Sequence, residues 1–135
     1  VGDVPDIDVL DSTWICARPV EVATIVAEPS NWRRWWPRLD VVVDEWRGDK
    51  GVRWLVRPSE RGRLAGSMEL WLEQVFDGVV VHFFLRLDGA DGRPVPRRRA
   101  RRIEHRYRTE MKALFWSIGD QLDPGRLARV SGPRR

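Results

Sequence analysis

The sequence predicts an α+β domain in which a curved antiparallel sheet of about five strands, with two short helices after its first strand, wraps one long C-terminal helix. Three observations carry that expectation. A strand-favouring stretch at 7–17 is followed at once by two proline-punctuated helical segments. Two alternating stretches, 64–76 and 79–87, meet at Asp77-Gly78, a dipeptide preferred in two-residue hairpins. Residues 97–122 then carry one broad apolar stripe at helical spacing.

Each element follows in order. Ile7, Val9, Thr13, Trp14 and Ile15 favour an extended first strand. Pro19 suits a helix's first turn, and Val20, Val22, Ala23, Val26 and Ala27 give helical spacing as far as Glu28. Pro29 discourages continuation, and Ser30 is the expected cap of a second helix that Pro37 closes. In that helix Trp32 shares a face with Trp35 and Trp36, while Arg33 and Arg34 turn away. Residues 39–47 and 52–57 read as strands joined through Gly48-Asp49-Lys50-Gly51. With Asp77-Gly78 as the turn, Phe76 faces Val79, Glu69 faces Arg86, Trp71 faces Phe84 and Glu73 faces His82 on one face. The other face pairs Met68, Leu70 and Leu72 with Leu87, Leu85 and Phe83. On the last helix Ala100, Ile103, Tyr107, Met111, Leu114, Ile118 and Leu122 form the apolar stripe, with Arg98, Arg101, Arg108 and Lys112 on a basic back. Residues 1–122 are thus expected to form one domain, and 123–135 a mobile basic tail with little to bury.

At 135 residues the chain is long enough to bury a sizeable core without a staple. Its single cysteine, Cys16, cannot form an internal disulfide, and residues 1–6 carry neither a charged nor an apolar leader pattern, so a reducing cytoplasm is the expected location. The net charge of +4 is unevenly spread. Residues 93–135 hold 13 basic and 4 acidic side chains, against 11 and 16 in residues 1–92. Such a segment fits an acidic partner, an anionic membrane surface or nucleic acid. Only two of the 24 basic residues are lysines, however, so an arginine-biased composition accounts for much of it.

The order strand, two short helices, antiparallel strands, long helix is that of the helix-grip fold. Ala17-Arg18-Pro19-Val20-Glu21-Val22, with Pro29-Ser30-Asn31-Trp32 and Trp35-Trp36-Pro37, resembles the START-like polyketide cyclase/dehydrase (SRPBCC) superfamily. The segment 66–73 with Asp77-Gly78-Val79-Val80-Val81 is similar to that family's last hairpin. The likeness spans about residues 7–122 and departs at 58–63, where family members usually carry a further hairpin, so this chain resembles a shortened member. It implies binding of a hydrophobic lipid or polyketide-like molecule in a cavity between sheet and long helix, with cyclase or dehydrase activity left open. The walls it implies are Trp32, Trp35, Trp36 and Trp54, then Met68, Leu70, Leu72, Phe83 and Leu85 from the sheet, and Tyr107, Met111 and Leu114 from the helix. Tyr107, the only tyrosine, would be the polar handle. For any single tryptophan, packing in an ordinary core is the simpler assignment.

Other chemistry has thinner support. His82 facing Glu73 is a potential acid/base pair, but on a solvent face it reads first as a cross-strand contact. Two widely spaced histidines and one cysteine give no metal-ligand pattern, and no phosphate loop or nucleophile elbow is present, so neither metal nor cofactor is expected and no catalytic residue is assigned. The alternative to a pocket protein is a non-enzymatic interaction module. It would use Arg97, Arg98, Arg99, Arg101, Arg102, Arg106 and Arg108, with Trp116 nearby, against a protein partner or an anionic membrane. Nucleic acid is disfavoured because no aromatic residues interleave those arginines. Homo-oligomerisation is left open, since a partner subunit could close the shortened sheet.

Overall fold

The computed structural model describes residues 4–59 and 63–123. It contains β1 (Ile7–Ile15), α1 (Pro19–Val26), α2 (Pro29–Trp35), β2 (Asp40–Trp46), β3 (Gly51–Arg57), β4 (Leu64–Val75), β5 (Gly78–Gly89) and α3 (Arg97–Leu122). The strands form one antiparallel sheet in the order β1-β5-β4-β3-β2, with α3 packed on its inner face. The α+β class, the five strands and the bounds of the long helix are those the sequence predicts. All but the first residue of the expected tail lies outside the described residues.

The proline-led helices start as expected but divide differently. α1 ends at Val26, and Glu28, rather than Ser30, caps α2, its carboxylate accepting from the Ser30 backbone N–H at 3.2 Å. Pro29 therefore opens the second helix as its first residue, where a missing N–H costs nothing. At the start of α1 the Arg18 backbone N–H donates to the Glu21 carboxylate at 3.0 Å, and that bond holds the Glu21 carboxyl below its ordinary range.

The hairpin register is a correction. β4 and β5 pair Val75 with Gly78, so the loop residues are Phe76 and Asp77, not Asp77 and Gly78. The positive φ of 57° falls on Phe76. Gly78 is needed for a different reason, since a Cβ there would lie 2.5 Å from the Ile15 carbonyl oxygen and from the Trp14 ring. The slip is two residues, so every side chain keeps its face while its partner changes. Met68 faces Leu85, Leu70 faces Phe83, Leu72 faces Val81, Trp71 faces His82 and Glu69 faces Phe84. The Glu69–Arg86 pair does not form. Glu69 accepts from Arg47, and Arg86 stacks over Phe84 and approaches Asp8.

α3 also guards the sheet edge. Outside its pairing with β5, β1 receives the Glu104 carboxylate on the Asp8 backbone N–H at 2.9 Å, and Lys112 reaches the Asp11 carboxylate at 3.1 Å. The Glu104 contact occupies a backbone donor that an open edge strand would otherwise present, and the Lys112 ion pair ties the helix to that strand through side chains. The helix phase differs slightly from the expected stripe. Phe115 is buried against Phe83, and Leu114 and Leu122 are only half-buried.

Candidate functional site

The side chains expected to line a cavity do converge between sheet and α3. Trp32, Trp36, Trp54, Met68, Leu70, Leu72, Phe83, Leu85, Tyr107 and Met111 are all buried in one core cluster, with Trp35 and Leu114 half-buried at its edge. Most of the space between them is occupied by the rings themselves. Trp54 meets Trp32 edge-on at 5.4 Å and Trp36 at 5.2 Å. Trp36 can reach that position because it leaves the helix as the C-cap of α2, with φ −128° and ψ 65°. Its indole N–H points at the Met111 sulfur, 3.1 Å away, and the Trp32 N–H donates to the Val26 carbonyl at 2.6 Å. Trp32 and Trp36 thus stand inside the core.

Two openings flank this aromatic plug, one between α2 and α3 and one at the ends of β3 and β4. Between α2 and α3 runs an open groove of about 480 Å³, bounded by Arg34, Trp35, Glu110, Met111 and Leu114. At the other side, where β3 ends and β4 begins, a hollow of about 60 Å³ is lined by Arg38, Arg57, Arg99, Arg106 and Tyr107 over Val56, Leu64 and Ile103. Tyr107 and Met111 lie one helical turn apart, about 6 Å along the axis. An ion pair bridges the two openings: Arg38, from the hollow, stands 3.9 Å from Glu110, from the groove.

The electrostatics of the hollow are unbalanced. Arg57 is paired with Asp40 at 3.0 Å, but Arg99 and Arg106 have no acidic partner among the described residues. The Arg106 Nε is buried and has no hydrogen-bond acceptor among the described residues, nor does the Trp54 indole N–H on the same inner face as Val56. A buried donor without a partner costs about 1–3 kcal/mol, so an acceptor oxygen beside either group would be stabilising. Burial raises the Tyr107 hydroxyl above its ordinary pKa against the opposing charge of Arg106, so at neutral pH it remains a neutral donor.

Sequence pattern groups Arg106 with the arginines of the solvated helix back; the structure half-buries it at the hollow, because it directly precedes Tyr107 on the inward-turning flank. Arg38, Arg57 and Arg99 are likewise additions to the expected pocket. On the opposite face of the sheet, Ser12 and Glu73 bind the two nitrogens of His82 at 2.7 and 3.0 Å. The Ser12 contact is new, whereas the contact with Glu73 survives as a diagonal despite the shifted register. This chain of contacts lies on the solvent side and ties β1, β5 and β4 together. Among the described residues no cluster of three or more His, Cys, Asp or Glu is placed to hold a metal, and no helix is long and apolar enough to cross a membrane.

No protein-family model matches the sequence, and no curated protein does. Solved structures do match. The Aha1 dimer protein of Colwellia psychrerythraea superposes with a TM-score of 0.58 at 14% identity, covering 88% of this chain and 98% of that one. A Deinococcus radiodurans protein gives 0.58 at 12% identity over 85% and 97% of the two chains, and a Thermus thermophilus protein 0.51 at 12% over 85% and 96%. The likeness is one of fold: the chain has the START-like, SRPBCC helix-grip fold.

Proposed function

We propose that this protein binds a hydrophobic small molecule, lipid or polyketide-like, between α2, the inner sheet face and α3. The observation that carries the reading is the groove of about 480 Å³ beside Trp35, Met111 and Leu114. Its size lies in the range of ligand sites, roughly 300–1,000 Å³, and its floor is the Met111 side chain that covers buried Trp36. Methionine is flexible and repacks readily, so Met111 is the natural gate between the groove and the tryptophan cluster. Trp32, Trp54, Met68, Leu70, Leu72, Phe83 and Leu85 would be the deeper walls, met as the ligand displaces Met111 and Trp36. Should the bound molecule be a reactive polyketide, the neutral Tyr107 hydroxyl is the group best placed to orient it for cyclisation or dehydration.

The test is titration with a neutral probe such as Nile red, followed by quenching of tryptophan fluorescence. Saturable one-to-one binding at low micromolar concentration, about −8 kcal/mol, is expected. Leu114→Trp, which fills the groove from its rim, should weaken it at least tenfold without altering the circular dichroism spectrum. Absence of saturable binding to the wild type would refute the reading.

A second reading uses the solvent side of α3, where Arg98, Arg101, Arg102 and Arg108 are exposed and Trp116 is 56% exposed. This surface would serve a protein partner or an anionic membrane, and its binding would weaken steeply between about 0.05 and 0.5 M salt. Binding in the groove would hardly respond.

A further inference from the structure

From the arginine hollow we infer that the ligand is an amphiphile with one acidic head group, a carboxylate or phosphate monoester, held by Arg38, Arg57, Arg99, Arg106 and Tyr107 while its apolar part lies toward the groove. The inference rests on the binding reading above and adds the chemical class of the ligand.

Three observations support it. First, four guanidinium groups line a hollow of about 60 Å³, a space on the scale of a few waters or one compact anionic group. Arginine forks match the paired oxygens of carboxylate and phosphate. Second, the site has more donors than the described residues satisfy. Arg99 and Arg106 have no carboxylate partner among the described residues, and the Arg106 Nε is buried without an acceptor. Arg38 is held by Glu110 only at 3.9 Å, a distance long enough for an incoming anion to compete. Third, the floor is apolar. Val56, Leu64 and Ile103 lie beneath the arginines, and Tyr107 leads along α3 to Met111 one turn away. A free anion needs no such floor, whereas the first carbons of an alkyl chain do.

The arrangement also explains why four positive groups are tolerated together. Each keeps part of its side chain in solvent, and Asp40 and Glu110 partly neutralise two of them at the rim. A bound monoanion or dianion would offset the remaining charge of Arg99 and Arg106.

Displacement of Nile red from the full chain tests the inference against matched twelve-carbon competitors. Laurate or dodecyl phosphate is expected to bind at least tenfold tighter than methyl laurate, which shares the chain and lacks the charge. Arg99→Gln and Arg106→Gln should each erase that preference while leaving methyl laurate unchanged. Arg99 is exposed, so its variant remains informative even if Arg106→Gln impairs folding. Equal affinity for acid and ester, or a preference that survives Arg99→Gln, would overturn the head-group site and leave the apolar cleft intact. Inorganic phosphate displacing the probe as well as dodecyl phosphate does would also overturn it, by showing a free-anion site. If no competitor displaces the probe although the probe binds, the head-group site falls. If the probe itself does not bind, both readings fall.

Discussion

The two halves of α3 face the same sheet and solve the problem of burial in opposite ways. The C-terminal half sets Met111, Phe115 and Ile118 against Trp36 and Phe83, and the space is closed by large rings in edge-on contact. The N-terminal half sets Ile103 and Tyr107 over the end of β3 and the start of β4, where two arginines have no acidic partner and an interior donor no acceptor among the described residues. One end is packed by rings, with its groove on the α2 side, and the other sets charged groups around a small hollow. The difference follows from what each half meets: the C-terminal half packs on the strand interior and the tryptophans of α2, the N-terminal half on strand ends that carry arginines.

The largest effect should come from breaking the closed half. Trp36→Ala removes a ring that is 2% exposed and contacts Trp35, Trp54 and Met111, and should cost about 3–5 kcal/mol in urea unfolding. That is a large share of a typical domain stability of roughly 5–15 kcal/mol. A change below about 1 kcal/mol would mean the ring is not packed as described.

The open half should respond less. Tyr107→Phe is expected to cost no more than about 1 kcal/mol at neutral pH. Its signature is alkaline. Because burial raises the Tyr107 pKa from 10.0, the unfolded chain loses that proton first. Stability is therefore fully present below pH 10 and falls as pH rises from there through the folded-state value. The melting temperature of the wild type should drop more steeply than that of Tyr107→Phe above pH 10; parallel curves would contradict the burial of the hydroxyl.

Outside both halves the effects should be small. Ser12→Ala removes one tie of the Ser12–His82–Glu73 chain on the solvent face and should cost at most about 1 kcal/mol in chemical denaturation. Charge reversal at Arg98, Arg101 and Arg102 together should leave thermal stability almost unchanged, within about 1 kcal/mol, because all three are exposed. Unfolding of that triple variant would show that the helix phase is wrong.

The closed half is readable from the sequence and the open half is not, for a physical reason. Periodicity reports which residues share a face, so the inner positions of β4, β5 and α3 can be named before any partner is known. It fails where one neighbour outweighs the local pattern. Asp77-Gly78 has the chemistry of a turn, yet the glycine is spent on close approach to Trp14, and the turn moves back onto Phe76. Phe115 takes the buried place expected of Leu114 for a similar reason, since it meets Phe83 across the core. The hollow lies further from reach. Arg38, Arg57, Arg99 and Arg106 come from the α2–β2 connection, the end of β3 and α3, and only the register of three elements brings them together.

The indole N–H resonances of the eight tryptophans, followed by two-dimensional NMR during titration with laurate, test the central claim most directly. Binding between sheet and helix predicts saturable shifts at Trp35, Trp36 and Trp54, with Trp14, Trp71 and Trp116 unmoved. Shifts confined to the solvent-facing Trp14, Trp71 and Trp116, or no saturable shift at any indole, would contradict it.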